Sequence, residues 1–182
     1  MKPWRAIAFH TDDDIYNECI TNLRDSLHKF NILHSIKTIP KLETWNKTLL
    51  SLHPLILEAF DLYKENLVYL DADAIIRQYP ILFDTIDCDV AVHYKDDREL
   101  LAGTTYLKNC AKTKQLVKEW MANSLKDPRH LAAQTGLDTA IKEGDYNVYR
   151  LPAPYTLIFD SMKHQGPPVI EHFQASRRSR RL

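Results

Sequence analysis

Asp71 and Asp73 leave an apolar run, Leu67-Val68-Tyr69-Leu70, in the segment LVYLDADAIIRQYP. The run reads as a buried strand over 66–70, and aspartates at a strand exit read first as a helix cap or a solvated turn. A second chemistry fits the same residues. Side chains two apart on an extended chain point the same way, so the two carboxylates repel unless a counter-charge lies between them. Mg²⁺ and Mn²⁺ take oxygen ligands, and an ion held by one or two carboxylates commonly also takes substrate phosphates. Asp71 and Asp73 with such an ion would give a diphosphate a place to bind.

The surrounding pattern predicts the elements that position this pair. Residues 5–9 read as a short strand. An aspartate among Asp12, Asp13 and Asp14 caps a helix running to about residue 30, with Ile15, Cys19, Leu23, Leu27 and Phe30 at helical spacing. Strands follow over 34–38, 89–94, 101–108, 146–151 and 169–173. Helices follow over 44–52, 54–63, 112–124 and 131–143, with Pro54 at a favoured first-turn position. Trp120, at helical spacing from Leu116 and Val117, is assigned to the core. Early alternation of strand and helix followed by mixed elements predicts an α/β fold, a mostly parallel sheet flanked by helices with one or more antiparallel strands. Such sheets bind ligands at the carboxyl ends of their strands, where Asp71 and Asp73 fall.

Composition bounds the function classes. A chain of 182 residues reads as one domain with a sizeable core. Lys plus Arg and Asp plus Glu are both 24, so no overall field argues for nucleic acid or membrane. The final six residues, RRSRRL, hold four of the arginines, which leaves 20 basic against 24 acidic residues elsewhere. This tail, 177–182, reads as solvated, or as a contact for a phosphate-bearing partner or an anionic surface. Cys19, Cys88 and Cys110 are odd in number and scattered, which predicts reduced thiols and a cytoplasmic protein. No stretch reads as a signal peptide or a membrane span. GxGxxG and P-loop signatures are absent from a chain with four glycines.

The DxD segment resembles that of nucleotide-sugar glycosyltransferases of the GT-A fold, in particular the glycogenin-like, bacterial galactosyltransferase-like group. Other segments resemble the family's motifs in the same order. IAFHTDDDIY is similar to its first strand and nucleotide-binding loop, and LLAGTTYLKN to the strand lining the donor-sugar pocket. AAQTGLDTAI is similar to its DQxxLN helix, and VIEHFQASRR to its closing segment. Two departures stand out: Ala133 occupies the usual aspartate position, and the closing segment lacks the glycine and the Lys-Pro-Trp ending.

The resemblance implies a GT-A-like, Rossmann-like domain over 1–176 that acts as a glycosyltransferase of hexosyltransferase type. The donor is a nucleotide-sugar, expected to be a UDP-sugar. Transfer retains configuration and depends on Mn²⁺ or Mg²⁺. It implies metal-binding by Asp71, Asp73 and His172, although a histidine on an apolar strand also reads as core. Imidazole is a better ligand for Mn²⁺ than for Mg²⁺, so manganese is the expected ion. Gln134 and Asp138 take the donor-sugar role, with Asp138 the carboxylate nearest the sugar. Thr11 and Asp12 contact base or ribose, or serve only as a cap. Tyr16 stacks on the base or packs in the core. Lys47 reaches a phosphate or is a surface lysine. Gly103 beside Thr104 allows close approach of a sugar or is only a strand glycine. Gln174, Arg177 and Arg178 lie where the family's diphosphate clamp falls, and a guanidinium suits that task. The acceptor is left open among a glycan, a protein hydroxyl and a modified nucleobase. Two other classes use such a pair: a metal-dependent nucleotidyltransferase or phosphohydrolase, which needs a further carboxylate, and a catalytically silent sugar-nucleotide-binding module.

Overall fold

The computed structural model describes residues 3–126, 132–162 and 165–175, apart from the side chains of residues 45, 46, 49 and 132. The first strand, β1 (Trp4–Thr11), is almost wholly buried. Helix α1 (Asp14–Lys29) starts at Asp13, whose side chain accepts from the Tyr16 N–H at 3.1 Å. Asp14 in its first turn and His28 and Lys29 in its last suit the helix dipole. Strand β2 (His34–Ile39), α2 (Trp45–Leu50) and α3 (Leu52–Tyr63) follow. Pro54 stands in the first turn of α3, and the helix stops at Lys64, in the left-handed region at φ 57°.

Strand β3 (Asn66–Leu70) is buried at all five positions. The chain continues through β4 (Ala74–Ile76), α4 (Leu82–Thr85), β5 (Val90–Lys95), β6 (Glu99–Leu107), α5 (Ala111–Lys126) and α6 (Ala132–Glu143). It ends with β7 (Val148–Arg150), a 3₁₀ turn over Ala153–Thr156, β8 (Leu157–Ile158) and β9 (Ile170–His172).

Six strands form one sheet in the order β2-β1-β3-β6-β5-β7. All run parallel except β6, which is antiparallel to β3 and β5. Alternation along β3 sends Val68 and Leu70 to one core and Leu67 and Tyr69 to the other. A strand covered on both faces must be apolar throughout, which is why its sequence is a continuous run. Leu23 and Leu27 of α1, with Phe83 and Tyr106, fill the first core. Ile56 and Phe60 of α3, Leu116 and Trp120 of α5 and Leu137 of α6 fill the second. Trp120 is fully buried, and its indole N–H donates to the Ala133 carbonyl.

Three short strands make a second sheet, β4-β9-β8. Of these elements the sequence predicts β9, as a strand over 169–173; β4, β8 and α4 are not predicted, because segments of two to four residues carry no readable period. The remaining differences lie at element ends: β6 begins at Glu99 rather than 101, and β7 shrinks to three residues. One irregularity bears on function. From Ala91↔Tyr106 to His93↔Leu101, β5 advances two residues while β6 advances five, so three extra residues bulge from β6. The Thr105 hydroxyl closes the bulge on the Ala102 carbonyl at 2.9 Å. Bulges re-aim side chains, and this one holds Gly103 and Thr104.

Candidate active site

The end of β3 builds the site. The Asp71 N–H donates to the Gly103 carbonyl at 2.9 Å, one rung beyond the β3–β6 ladder, and the Ala74 N–H donates to the Asp71 carbonyl at 3.0 Å. This tight turn sets Asp71 and Asp73 side by side. Strand β9 then pairs with β4 so that His172 lies opposite Ala74. One ligand atom from each of Asp71, Asp73 and His172 lies within 4.8 Å of the others.

Each of the three is held by a neighbour. The Tyr69 hydroxyl donates to Asp71 Oδ1 at 2.7 Å. The Ala175 N–H donates to Asp73 Oδ2 at 2.6 Å. Gln174, just before it, sits at φ 56°, a left-handed conformation unusual for a side-chain-bearing residue. His172 is buried, with Nε2 2.8 Å from the Thr104 hydroxyl and Nδ1 3.5 Å from Asp73 Oδ1. Nε2 thus faces the Thr104 hydroxyl, and Nδ1 is the ring nitrogen that faces the carboxylates. Gly103 completes the enclosure: a Cβ there would lie 2.9 Å from Asp71 Oδ2 and 3.0 Å from His172 Cε1.

The electrostatics follow from this crowding. Burial, and then the charge of Asp73, raise the Asp71 carboxyl above its ordinary range. Burial would raise Asp73 too, but the hydrogen bond and charge of His172 and the Ala175 N–H hold it below. Burial and the charge of Asp71 push the Tyr69 phenol well above 10. Two acids and an imidazole converging in a half-buried place form a donor set that a divalent cation fits, because it would remove their mutual repulsion.

The other predicted residues fall into three places. Thr11 and Tyr16 line a small cleft of ≈ 50 Å³ at the carboxyl ends of β1 and β2, together with Phe9, Ile39, Thr48 and Tyr69. Tyr16 is also part of the first core, and the Thr11 hydroxyl donates to Asp13 at 2.6 Å. Asp12 is exposed and accepts from Asn17, and Lys47 is exposed in an ion pair with Glu43. Neither lines that cleft. Gln134 and Asp138 lie on α6 against the β5–β6 hairpin. Gln134 donates to Glu99 at 3.2 Å, and Asp138 accepts from the Tyr94 hydroxyl at 3.2 Å and pairs with Lys142 at 2.6 Å. These bonds run to the hairpin and to α6 itself, not to Asp71, Asp73 or His172. Arg177, Arg178 and the rest of the basic tail lie outside the described residues.

Tyr69 is the residue that the sequence reading missed. Its ring lines the small cleft and stacks on Phe9 at 6.2 Å, while its hydroxyl holds Asp71. The signal was available: Tyr69 precedes Asp71 by two residues, so on an extended chain both point to one side.

No known family model matches the sequence, and neither does any curated protein. Solved structures do match. The chain superimposes on a glycosyltransferase involved in the glycosylation of the major capsid of PBCV-1 with a TM-score of 0.78, at 11% identity over 98% of both chains. It also superimposes on the glycosyltransferase GlyE of Streptococcus pneumoniae TIGR4, with a TM-score of 0.61 at 16% identity. This chain has a glycosyltransferase fold. The second match covers 94% of this chain but 54% of GlyE, so the chain spans about half of that structure. Among the described residues, no helix is long and apolar enough to cross a membrane.

Proposed function

We propose that the protein is a metal-dependent glycosyltransferase of the glycogenin-like group. It moves a hexosyl unit from a UDP-sugar to an acceptor hydroxyl with retention of configuration. The observation that carries this reading is the convergence of Asp71, Asp73 and His172 at the carboxyl edge of a fold shared with glycosyltransferases. The three residues hold the cation, with Mn²⁺ preferred because one ligand is an imidazole. That ion would supply positive charge where the departing diphosphate develops negative charge.

The chain's own residues do the rest. Tyr69 orients Asp71, Thr104 orients His172, and the Ala175 N–H orients Asp73. Orienting partners of this kind are typically worth about 10–100-fold in metal affinity. Thr11 and Tyr16, at the carboxyl ends of β1 and β2, meet the base or ribose from one side. The missing side chain at Gly103 leaves room for the Asp71 carboxylate and the His172 ring to lie together against β6. Gln134 and Asp138 meet the sugar hydroxyls, and Arg177 and Arg178 clamp the diphosphate. In the transfer, the bond from the anomeric carbon to the phosphate oxygen breaks and one to the acceptor oxygen forms. The acceptor's hydroxyl proton passes to the released nucleoside diphosphate.

A nucleotidyltransferase or phosphohydrolase would need a further carboxylate. Among the described residues the cluster that could hold an ion contains two carboxylates and one imidazole. The test is nucleotide release from a panel of sugar-nucleotide donors with Mn²⁺ and then with EDTA. Release of UDP that EDTA abolishes supports the reading. Turnover of nucleoside triphosphates without sugar release refutes it.

A further inference from the structure

The β5–β6 hairpin reaches α6 through two side-chain bonds. The Tyr94 hydroxyl donates to Asp138 Oδ1 at 3.2 Å, and Gln134 donates to Glu99 at 3.2 Å. We propose that Tyr94 is a positioning residue that makes the transfer selective among hexoses: it fixes the Asp138 carboxylate so that one epimer of the donor sugar places a hydroxyl on it and the other does not. The inference rests on the sugar-transfer reading above and adds the residue that sets its donor preference.

Position is the first argument. Leu100 pairs with Tyr94 across the hairpin, and Gly103, three residues along β6, lies against Asp71 and His172. At no more than ~3.6 Å per residue, those steps span at most about 11 Å. Helix α6 packs on the same strand. A diphosphate held at the cluster therefore leaves its sugar within reach of the part of α6 that carries Gln134 and Asp138, and β6 sets the separation between the two.

Fixation is the second argument. Asp138 accepts from Tyr94 at Oδ1 and from Lys142 at Oδ2, the latter at 2.6 Å. A carboxylate has roughly four acceptor sites, so about two remain for sugar hydroxyls. Lys142 is 61% exposed on a flexible stem and follows the carboxylate when it turns. Tyr94 does not. The Arg150 guanidinium lies 4.9 Å from its ring centroid, and Arg150 in turn pairs with Asp97 at 2.8 Å. Asp96 and Asp97 occupy left-handed conformations, φ 50° and 57°, in a turn closed by the Arg98 N–H on the Lys95 carbonyl at 3.0 Å. The chain Asp97–Arg150–Tyr94–Asp138 thus ties the carboxylate to the tip of the hairpin. Burial, and then the charge of Asp138, push the Tyr94 phenol up to about 12, so it remains a donor at neutral pH. A site built to hydrogen-bond a substrate hydroxyl rejects the analogue that lacks it there, because its polar groups are then left unpaired.

The test is UDP release by the full chain with Mn²⁺ and water as acceptor, from the epimers UDP-glucose and UDP-galactose. The wild-type protein should favour one epimer in kcat/KM by about tenfold or more. Tyr94→Phe keeps the ring under Arg150 and should cut that preference by about tenfold or bring it to unity, the scale of one hydrogen bond to a charged group. Arg150→Gln, at an exposed position, should move the preference the same way, and it carries the test if Tyr94→Phe fails a thermal melt. Adding Tyr94→Phe to Asp138→Asn should cost no further preference, since both remove one interaction. Tyr146→Phe is the control: it loses a phenol–carboxylate bond of 2.6 Å to Glu119 on α5 and should leave the preference intact. A residue serving only the fold would slow both epimers alike. Equal loss for both epimers, a preference that neither Tyr94→Phe nor Arg150→Gln reduces, or no preference in the wild type would overturn the proposal. Release that EDTA abolishes, with the preference unmoved by these variants, overturns the role of Tyr94 alone. No release from either donor by the wild type overturns the hexosyl-transfer reading with it.

Discussion

Replacing Gly103 by alanine perturbs the cluster while leaving every proposed ligand residue in place. The new Cβ would stand 2.9 Å from Asp71 Oδ2, and 3.0 Å and 3.1 Å from Cε1 and Nδ1 of His172. An ordinary contact is 3.4 Å or more, so these fall short by 0.5, 0.4 and 0.3 Å. Neither neighbour can retreat freely. Asp71 is held by Tyr69 at its other oxygen, and the His172 ring is held between Thr104 and Asp73. Both must shift by about 0.5 Å, which is the tolerance of a preorganised site. Mn²⁺ affinity should fall by about 10–100-fold, as when orienting groups are lost. Overpacking costs about 1–3 kcal/mol, and loss of glycine's freedom in the unfolded chain returns about 0.4–1 kcal/mol. The metal-free melting temperature should therefore drop by only a few degrees, at about 2–4 °C per kcal/mol for this size. The assay is a Mn²⁺ titration of metal-free protein followed by electron paramagnetic resonance, beside a thermal melt. Gly166→Ala is the control: at φ 93° with nothing within 4 Å, it should lower stability and leave the titration unchanged. A Gly103→Ala protein that is folded and binds Mn²⁺ within about twofold of wild type would refute the geometry argued here.

Tyr69→Phe removes one hydrogen bond and no ring, so the fold should persist while Mn²⁺ affinity falls by about tenfold or more; an unchanged titration would leave Tyr69 a core residue only. Thr104→Val, nearly the same shape, should also weaken Mn²⁺ binding by freeing the His172 ring, and calorimetric titration reads it. His53 bears on stability instead. It is fully buried, sits edge-on to Trp120, and its Nε2 has no partner among the described residues. Burial, opposed in part by the Leu50 carbonyl, lowers its pKa from 6.5 to about 4. The unfolded chain thus takes up this proton first as pH falls, so the contribution is whole above pH 6.5 and is lost between 6.5 and about 4. That loss reaches about 3 kcal/mol at 1.36 kcal/mol per pH unit, and chemical denaturation of His53→Leu beside wild type should show a flatter acid limb.

How much of this was legible follows from which physical signals are local. The β3 run and α1 were readable because burial on two faces and an amphipathic period leave patterns several residues long. The acid pair stood out because polar residues at the exit of an apolar strand need a reason. His172 was noticeable for the same cause, a titratable residue on an apolar segment. The strand over 169–173 was readable, but its place in the β4-β9-β8 sheet was not, since that sheet comes from pairing Ala74 with His172, about a hundred residues apart, and β4 and β8 are too short to show alternation. The bulge in β6 was hidden too, because it is a mismatch of register between two strands rather than a property of either. Gln134 and Asp138 were placed on a helix from their spacing, but their partners Glu99 and Tyr94 depend on where α6 meets the β5–β6 hairpin.

The central claim is that Asp71, Asp73 and His172 hold a divalent cation that in turn holds a nucleoside diphosphate. Anomalous diffraction from crystals grown with Mn²⁺ and UDP tests it most directly. The account predicts a manganese peak in contact with a carboxylate oxygen of Asp71, one of Asp73 and Nδ1 of His172, with diphosphate oxygens on its open side. It also predicts loss of that peak in Asp73→Asn. A bound UDP with no anomalous peak at this cluster, or a peak that persists unchanged in Asp73→Asn, would contradict it.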